Sequence, residues 1–422
     1  MSRVLVVGLG RFGGGVAAAR YFAGRGDDVC VTDKRDAGTL AASVAEVAPL
    51  GVRLRLGGHD RADYDAADVI VVNPAVPFDD PLIARARARG KAIVTEIGLT
   101  LRRIEGPVVA VTGTNGKSTT VALVAAMLEA SGVPAALGGN IGRPLLNERL
   151  EADTVAVLEL SSFQLEWLEH EELAPVAAVI TNVTGDHFDR HPTREHYVRA
   201  KRRLVEAVPE SGTVILREDD PVCRDFASHA RGRVVWFGDR HPSPVSLAEL
   251  RLAGRHNAAN AAAAAHAALL AGATPEGCRR ALSGFAPLPH RLQRLGERDG
   301  VEYVDDSVST TPEATAAAVE AYRRPVILLT GGQDKGLDWD PLLRAARRAK
   351  AVVAYGETGP ALHEALPASH RSPDFDQAVR LAVEIARPGD LVLLSPGFAS
   401  YDEFPGFDAR GARFRELLGA PL

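Results

Sequence analysis

Thr112-Gly113-Thr114-Asn115-Gly116-Lys117-Ser118-Thr119 places two glycines, a lysine and several hydroxyls directly after the apolar run Val108 to Val111. The backbone N–H groups of such a loop can cradle triphosphate oxygens, Lys117 can reach the β- and γ-phosphates as a point charge, and the Ser118 hydroxyl can ligate Mg²⁺. The loop is one residue shorter than the usual phosphate-binding spacing, because Val111 stands where a glycine is common. A second apolar run, Thr154 to Leu160, carries Glu159 near its end, followed by Ser161, Ser162 and Gln164. An acid amid Val155-Ala156-Val157-Leu158 is costly to bury unpaired, so it is expected to face a cation, with a cap or a salt bridge as the alternative. A third run, Val176 to Asn182, leads to Asp186 and His187, where a metal ligand or phosphate contact could sit.

Near the N-terminus, Val4 to Val7 is followed by Gly8-Leu9-Gly10-Arg11-Phe12-Gly13, a helical stretch and a strand ending at Asp33. The glycines allow a tight turn and close approach of a pyrophosphate to the helix N-terminus, and Asp33 lies about 20 residues on, where an acid would meet a ribose. Lys34 and Arg35 follow it and could meet a phosphate. By itself this loop admits a nicotinamide dinucleotide, another nucleotide diphosphate, or a purely structural turn. Toward the C-terminus, Asp305-Asp306-Ser307-Val308-Ser309-Thr310-Thr311, Thr330 to Lys335 and Ser395 to Ser400 put small and polar residues at strand ends. Together they suit a polar, charged small substrate.

The elements that must position these groups are short Val/Ile/Leu runs alternating with Ala- and Arg-rich helical stretches along the whole chain. Strands without polar alternation are buried on both faces, so the fold class is α/β with parallel sheets covered by helices. Breakers at Glu105-Gly106-Pro107 and Ala286-Pro287-Leu288-Pro289 suggest three domains: 1–95, Rossmann-like; 96–287, a central P-loop ATPase-like sheet; and 288–422, again Rossmann-like. The alanine run Asn257 to Ala268 reads as a tightly packed helix. With 49 Lys plus Arg against 54 Asp plus Glu, the 422-residue chain has a formal charge of -5. That balance, without basic tracts, argues against nucleic acid or a membrane surface as partner. No apolar run approaches the roughly 18 residues of a membrane span, and the N-terminus has no signal-peptide pattern. Three scattered cysteines, Cys30, Cys223 and Cys278, offer neither a disulfide framework nor a zinc site, which fits a cytoplasmic protein.

These residues resemble the Mur ligases, the ATP-dependent amide ligases of peptidoglycan precursor synthesis, over essentially the whole chain. The resemblance is carried by Gly113 to Thr119, Gly139-Asn140-Ile141-Gly142, Leu158-Glu159-Leu160-Ser161-Ser162-Phe163-Gln164-Leu165, Thr181-Asn182-Val183-Thr184 with Asp186-His187, and Leu394-Ser395-Pro396. Leu158 to Leu165 points to the glutamate-adding branch. The resemblance implies UDP-N-acetylmuramoyl-L-alanine, ATP and glutamate as partners, Mg²⁺ as cofactor, an acyl-phosphate intermediate, a monomer, and a role in cell-wall biogenesis and hence cell shape and division. It implies that Gly8, Leu9, Gly10, Arg11, Asp33, Lys34 and Arg35 hold the UDP moiety, and that Asn140, Ser161 and Gln164 meet the muramoyl substrate. ATP would lie on Gly113, Thr114, Asn115, Gly116, Lys117, Ser118 and Thr119, with Asn257 and Asn260 at the adenine and Arg291 and Asp306 at phosphate and ribose. Ser118 and Glu159 would hold one Mg²⁺.

His187 and Lys201 match the positions serving a second Mg²⁺, the lysine being carbamylated in the family. Lys201 would have to be partly neutral to react with CO₂; read from the residues alone it is a solvated helix lysine among Arg199, Arg202 and Arg203. Thr310, Lys335, Ser400 and Phe407 match glutamate-contacting positions. The family pattern Asp-Ser-Lys-Ala-Thr-Asn is departed from at Val308, where the lysine is absent. That leaves the glutamate enantiomer open, D-glutamate being favoured and an L-glutamate-adding variant the alternative. Outside the family, a nicotinamide-dependent Rossmann dehydrogenase would use the first loop but leave the second loop and Glu159 unexplained, and a P-loop binding module would consume no ATP.

Overall fold

The computed structural model describes residues 1–10, 13–168, 173–184, 191 and 193–419, which fall into two compact units. One comprises Met1–Val183, Glu195–Leu247 and Ala261–Leu282, and the other Thr184–Arg194, Ala248–Asn260 and Ser283–Leu422.

The first unit contains two parallel sheets. In the N-terminal one, β1 (Arg3–Val7), β2 (Asp28–Asp33), β3 (Arg53–Leu56), β4 (Val69–Val72) and β5 (Ala92–Val94) are ordered β3-β2-β1-β4-β5. Val4 to Val7 are buried on both faces, as a strand packed between helices requires. The strand order reverses between β1 and β4, so the crevice beyond their carboxyl ends is where a parallel sheet of this kind receives a ligand. The glycine loop leaves β1 at that point, and the helix Gly14–Ala23 follows it. Gly15 lets the two pack, since a Cβ there would lie 2.4 Å from the Gly8 carbonyl oxygen and 2.5 Å from that of Leu9.

The second sheet is built from β6 (Val108–Thr112), β7 (Ala135–Gly139), β8 (Val155–Glu159), β9 (Ala177–Ile180), β10 (Thr213–Arg217) and β11 (Arg233–Phe237). Their order is β11-β10-β9-β6-β8-β7, all parallel, which sets β6 between β8 and β9. The helix after β6 spans Lys117–Ala130. Gly116, at φ 87°, serves as its N-cap, so Lys117 and Ser118 occupy the first helical turn. The alanine run forms the helix Arg255–Leu270.

The second unit holds β12 (Gln293–Arg298), β13 (Val301–Asp305), β14 (Val326–Gly331), β15 (Ala351–Tyr355), β16 (His370–Arg371) and β17 (Leu391–Gly397), ordered β12-β13-β17-β14-β15-β16. The expectation of purely parallel sheets needs correction here, because β12 and β13 pair antiparallel. Their turn is Asp299-Gly300, with both residues at positive φ (54° and 75°), the dipeptide that a tight hairpin demands. The short strands β3, β5 and β16 also escape an apolar-run reading; the exposed, Arg-bearing β3 has no apolar run to find.

Within the first unit, Trp167 ties the second sheet's helices to the first. Its indole N–H donates to the Val76 carbonyl (3.3 Å), its ring centre lies 5.0 Å from that of Phe78, and the Arg87 guanidinium sits 4.4 Å from the Phe78 ring. The Asn147 amide donates to the Ala17 carbonyl at 2.9 Å, and Leu146 is fully buried in the N-terminal core. We expect Trp167→Ala to destabilise the first unit by about 3 kcal/mol, with a smaller loss when Phe78→Ala is already present; a double-mutant cycle in urea reads the coupling.

Candidate nucleotide and substrate sites

The phosphate-loop residues are held from below by the end of the neighbouring strand β9. Thr181 Oγ1 donates to the carbonyls of Asn115 (2.6 Å) and Thr112 (3.3 Å). The Asn182 side chain accepts from the Asn115 N–H (3.0 Å) and donates to its carbonyl (2.9 Å), while the Asn182 carbonyl accepts from the Thr114 N–H at 2.8 Å. Thr114 Oγ1 and the Tyr197 hydroxyl lie 2.9 Å apart. Gly113 is obligatory: it has φ 147°, and a Cβ would come within 1.9 Å of Thr181 Oγ1. Lys117 Nζ donates to the carbonyls of Gly113 (3.0 Å) and Thr114 (2.7 Å), bonds within its own loop that it can exchange for phosphate oxygens. Thr181, Asn182 and Tyr197 were visible only as parts of motifs; what they support became clear from the pairing of β6 with β9.

Glu159 ends β8 in register with Val111 of β6, one strand from the loop. Its carboxylate is 2 % exposed; Oε1 accepts from the Asn140 amide at 2.9 Å, and Oε2 is buried with no hydrogen-bond partner among the described residues. A buried carboxylate oxygen lacking a donor is an oxygen ligand without its cation, so these residues fit Mg²⁺. Gly139 brings Asn140 to this place: at φ 88° its missing Cβ would lie 2.2 Å from the Glu159 carbonyl, which accepts from the Asn140 N–H.

Lys201 is not the solvated lysine that its arginine neighbours suggested. It is 1 % exposed, with Nζ donating to the Gly113 carbonyl at 2.7 Å and lying 4.5 Å from the Tyr197 ring centre. The helix Arg194–Ala207 turns Tyr197, Ala200, Lys201 and Leu204 inward, while Arg194 and Arg199 are exposed and Arg203 lies along the flank, donating to the Leu165 and Glu166 carbonyls, a periodicity that the charge run obscured. His187 and Arg11 lie outside the described residues.

Several expected ligand contacts already have structural partners. Asp33 Oδ2 accepts from the Leu9 N–H (2.9 Å), and both its oxygens bond the Arg35 guanidinium. Burial raises the Asp33 pKa, but the Arg35 and Leu9 donors outweigh it and hold the carboxyl below its ordinary range. Asp33 therefore braces the glycine loop and Arg35 within the protein, whereas Lys34 is exposed. At the same crevice Asn73, at the end of β4, approaches both Gly8 and Gly10: Cβ atoms there would lie 2.9 Å from Asn73 Cβ and 2.5 Å from its Nδ2. No spacing rule points to Asn73, which only the β1–β4 pairing brings in. Ser161 and Gln164 form a capping box at the start of the helix Ser162–Trp167.

In the second unit, Asn257 donates to the Ala253 carbonyl (2.7 Å) and accepts from Asn260 (3.4 Å). Lys335 Nζ lies 3.4 Å from Thr310 Oγ1, so two of the expected amino-acid contacts converge. Ser400 is buried on the loop after β17, and Phe407 packs its ring edge-on to His290, beside Arg291. Asp306, expected at a ribose, is 4 % exposed and accepts from Ser395 Oγ (2.8 Å) and the Leu292 N–H (3.0 Å). It thereby holds the chain just after Arg291 against β17.

Burial pushes the Asp306 pKa from 3.8 to about 6, against the lowering effect of Ser309, Ser395, Leu292 and Arg291. The folded state then binds more protons than the unfolded one between these two values, so stability falls as pH rises through that window. We expect Asp306→Asn to flatten the decline in unfolding midpoint between about pH 4 and pH 6, removing at least about 1.4 kcal/mol of pH dependence; thermal melts across that range measure it.

Comparison with known proteins follows the same three parts. Residues 2–95 match the family described as Mur ligase MurD-like, N-terminal domain; residues 111–246 the Mur ligase middle domain; and residues 290–398 the Mur ligase, glutamate ligase domain. The UDP-N-acetylmuramoylalanine–D-glutamate ligase of Symbiobacterium thermophilum is 38 % identical, the alignment covering 99 % of this chain and 98 % of that one. That of a Roseiflexus species is 39 % identical over 99 % and 98 %. Among solved structures, the UDP-N-acetylmuramate-alanine ligase of Thermotoga maritima shares the fold with a TM-score of 0.65, at 20 % identity over 99 % of each chain. The chain is a member of the Mur ligase family.

Proposed function

We propose that this protein joins glutamate to UDP-N-acetylmuramoyl-L-alanine, consuming ATP through an acyl phosphate. The activity is that of an ATP-dependent acid–amino-acid ligase of peptidoglycan synthesis, and the observation that carries it is the orphaned Glu159 oxygen one strand from the phosphate loop. Residues 1–95 hold the UDP moiety on the Gly8–Gly13 loop, residues 96–287 hold ATP, and residues 288–422 hold the amino acid. The loop amides of Gly113 to Gly116 and the Lys117 ammonium take the charge of the phosphates, and positioning supplies most of the rate enhancement. Mg²⁺, held by Ser118 and Glu159, supplies neutralisation of phosphate charge. The terminal carboxylate of the muramoyl substrate attacks the γ-phosphorus, ADP leaves, and the glutamate amine attacks the acyl phosphate. The tetrahedral centre then expels phosphate, its new charge facing the loop donors.

Two finer assignments belong to this reading. Lys201 carries a carbamate that, with His187, holds a second cation; its burial against the Gly113 carbonyl supports a role beyond solvation. D-Glutamate, the amino acid named for the relatives, is the substrate, with L-glutamate as the alternative that Val308 keeps open. A nicotinamide-dependent reading is less favoured, because it leaves the phosphate loop and Glu159 unexplained. The enzyme works as a monomer in the cytoplasm, where its nucleotide-linked substrate is made; among the described residues no helix is long and apolar enough to cross a membrane.

Phosphate release is expected only when ATP, Mg²⁺, UDP-N-acetylmuramoyl-L-alanine and glutamate are all present, and faster with D- than with L-glutamate. Folded protein that releases none with either enantiomer overturns the assignment. Glu159→Gln should lower kcat by about 100-fold or more with the fold intact by circular dichroism. For the carbamate, ¹³C-bicarbonate should give an NMR carbamate signal in the parent that is missing in Lys201→Met.

A further inference from the structure

Arg410, on the helix Phe407–Leu418, has the largest side chain among the fully buried described residues, at 0 % exposure. Nε donates to Ser307 Oγ (3.2 Å), one terminal nitrogen to the Ala399 carbonyl (3.4 Å), and the other to the carbonyls of Ser307 (3.0 Å) and Phe398 (3.1 Å). Every acceptor is neutral. The nearby carboxylates bond other groups, and none forms an ion pair with Arg410 among the described residues: Asp305 bonds Arg415 and His290, Asp306 bonds Ser395 and Leu292, Asp402 the Glu357 N–H, and Glu403 the Phe375 N–H. The Tyr355 hydroxyl, buried beside Arg410, stays neutral because burial raises its pKa even against Arg410. A guanidinium buried without an ion-pair partner is costly, and a fold that keeps one gains something besides stability.

The bonds show what is gained. Ser307 belongs to the loop after β13, and Phe398 and Ala399 to the loop after β17. Ala399 pairs through both backbone groups with Gln333 (2.8 and 3.1 Å) on the loop after β14. A Cβ on Gly332 would lie 3.1 Å from the Arg410 fork, so the β14 loop also packs directly on it. Ser307 Oγ in turn donates to the Phe407 carbonyl at 2.7 Å. One planar, five-donor group therefore joins the three loops that carry Thr310, Lys335 and Ser400, a geometry that a lysine ammonium cannot reproduce.

We propose that Arg410 is the positioning and charge-selecting residue of the amino-acid site: its fork sets the three loops relative to one another, and its charge, which no ion pair takes up among the described residues, makes the site prefer a dicarboxylate over the corresponding amide. The inference rests on the assignment of these loops to glutamate. Val308, which puts an apolar side chain where the family pattern has a lysine, increases the share of recognition that falls to Arg410 and Lys335.

The test is steady-state ligation with glutamate and with glutamine as acceptors, for the parent, Arg410→Met, Arg410→Lys and Ser307→Ala. Arg410→Met should raise the KM for glutamate and lower the preference for glutamate over glutamine, each by about tenfold or more. The KM values for ATP and for the UDP-linked substrate should stay within about twofold, because those contacts do not run through Arg410. Arg410→Lys should raise the glutamate KM while keeping the preference within about threefold, since it keeps the charge and loses the fork. Ser307→Ala should raise the glutamate KM about threefold with the preference intact. An unchanged preference in Arg410→Met, or a parallel rise in all three KM values, overturns the proposal. Should Arg410→Met not fold, loss of the preference in Arg410→Lys or an unchanged glutamate KM in Ser307→Ala does so. A parent that turns over neither acceptor overturns the functional reading and this inference with it, whereas an active parent with unchanged variants overturns the inference alone.

Discussion

The register of three neighbouring parallel strands is the constraint on which the nucleotide site depends. With β6 hydrogen-bonded between β8 and β9, Val111 is level with Glu159 and Thr112 with Ile180, so the loops leaving all three strands start side by side. Glu159, the phosphate loop and the Thr181-Asn182 support then follow from backbone geometry, without any side chain having to seek out another. That pairing makes Gly113 necessary, because a Cβ there would meet Thr181 beyond β9, and the pairing of β7 with β8 does the same for Gly139 against the Glu159 carbonyl.

The two units use buried polarity in different ways. In the first, Glu159 is left one donor short, which suits a site completed by a cation. In the second, Arg410 makes four hydrogen bonds, all to neutral acceptors, and no ion pair among the described residues, which suits a site completed by an anion. Each is unfavourable for folding considered alone. Asp33 and Asp306 are the contrasting case: carboxylates at ligand-facing strand ends whose bonds are spent on bracing the loops around them.

Several side chains expected to face ligands also have partners within the protein, for a shared reason. Motif spacing identifies which residues gather at strand ends but not which of their atoms the protein itself consumes. Ser161 and Gln164 satisfy one another in a capping box, and Asp33 satisfies Leu9 and Arg35. Lys201 is misjudged from its neighbours for a related reason, since helical periodicity rather than local charge decides which residue turns inward. The antiparallel β12–β13 pair was signalled by Asp299-Gly300, a turn dipeptide overshadowed by the run of parallel crossovers around it.

Local chemistry was sufficient to establish the α/β class, the two glycine loops, the principal buried strands and the family. These depend on short-range constraints: apolar runs that must be covered on both faces, and a strand-to-helix loop whose glycines and lysine suit phosphate. The tertiary structure alone decided the orphaned Glu159 oxygen, the burial of Lys201, the approach of Asn73 to the first glycine loop, and the three-loop fork of Arg410. Each of those depends on a count of partners around a buried polar group, and that count is set by strands and helices far apart in the chain.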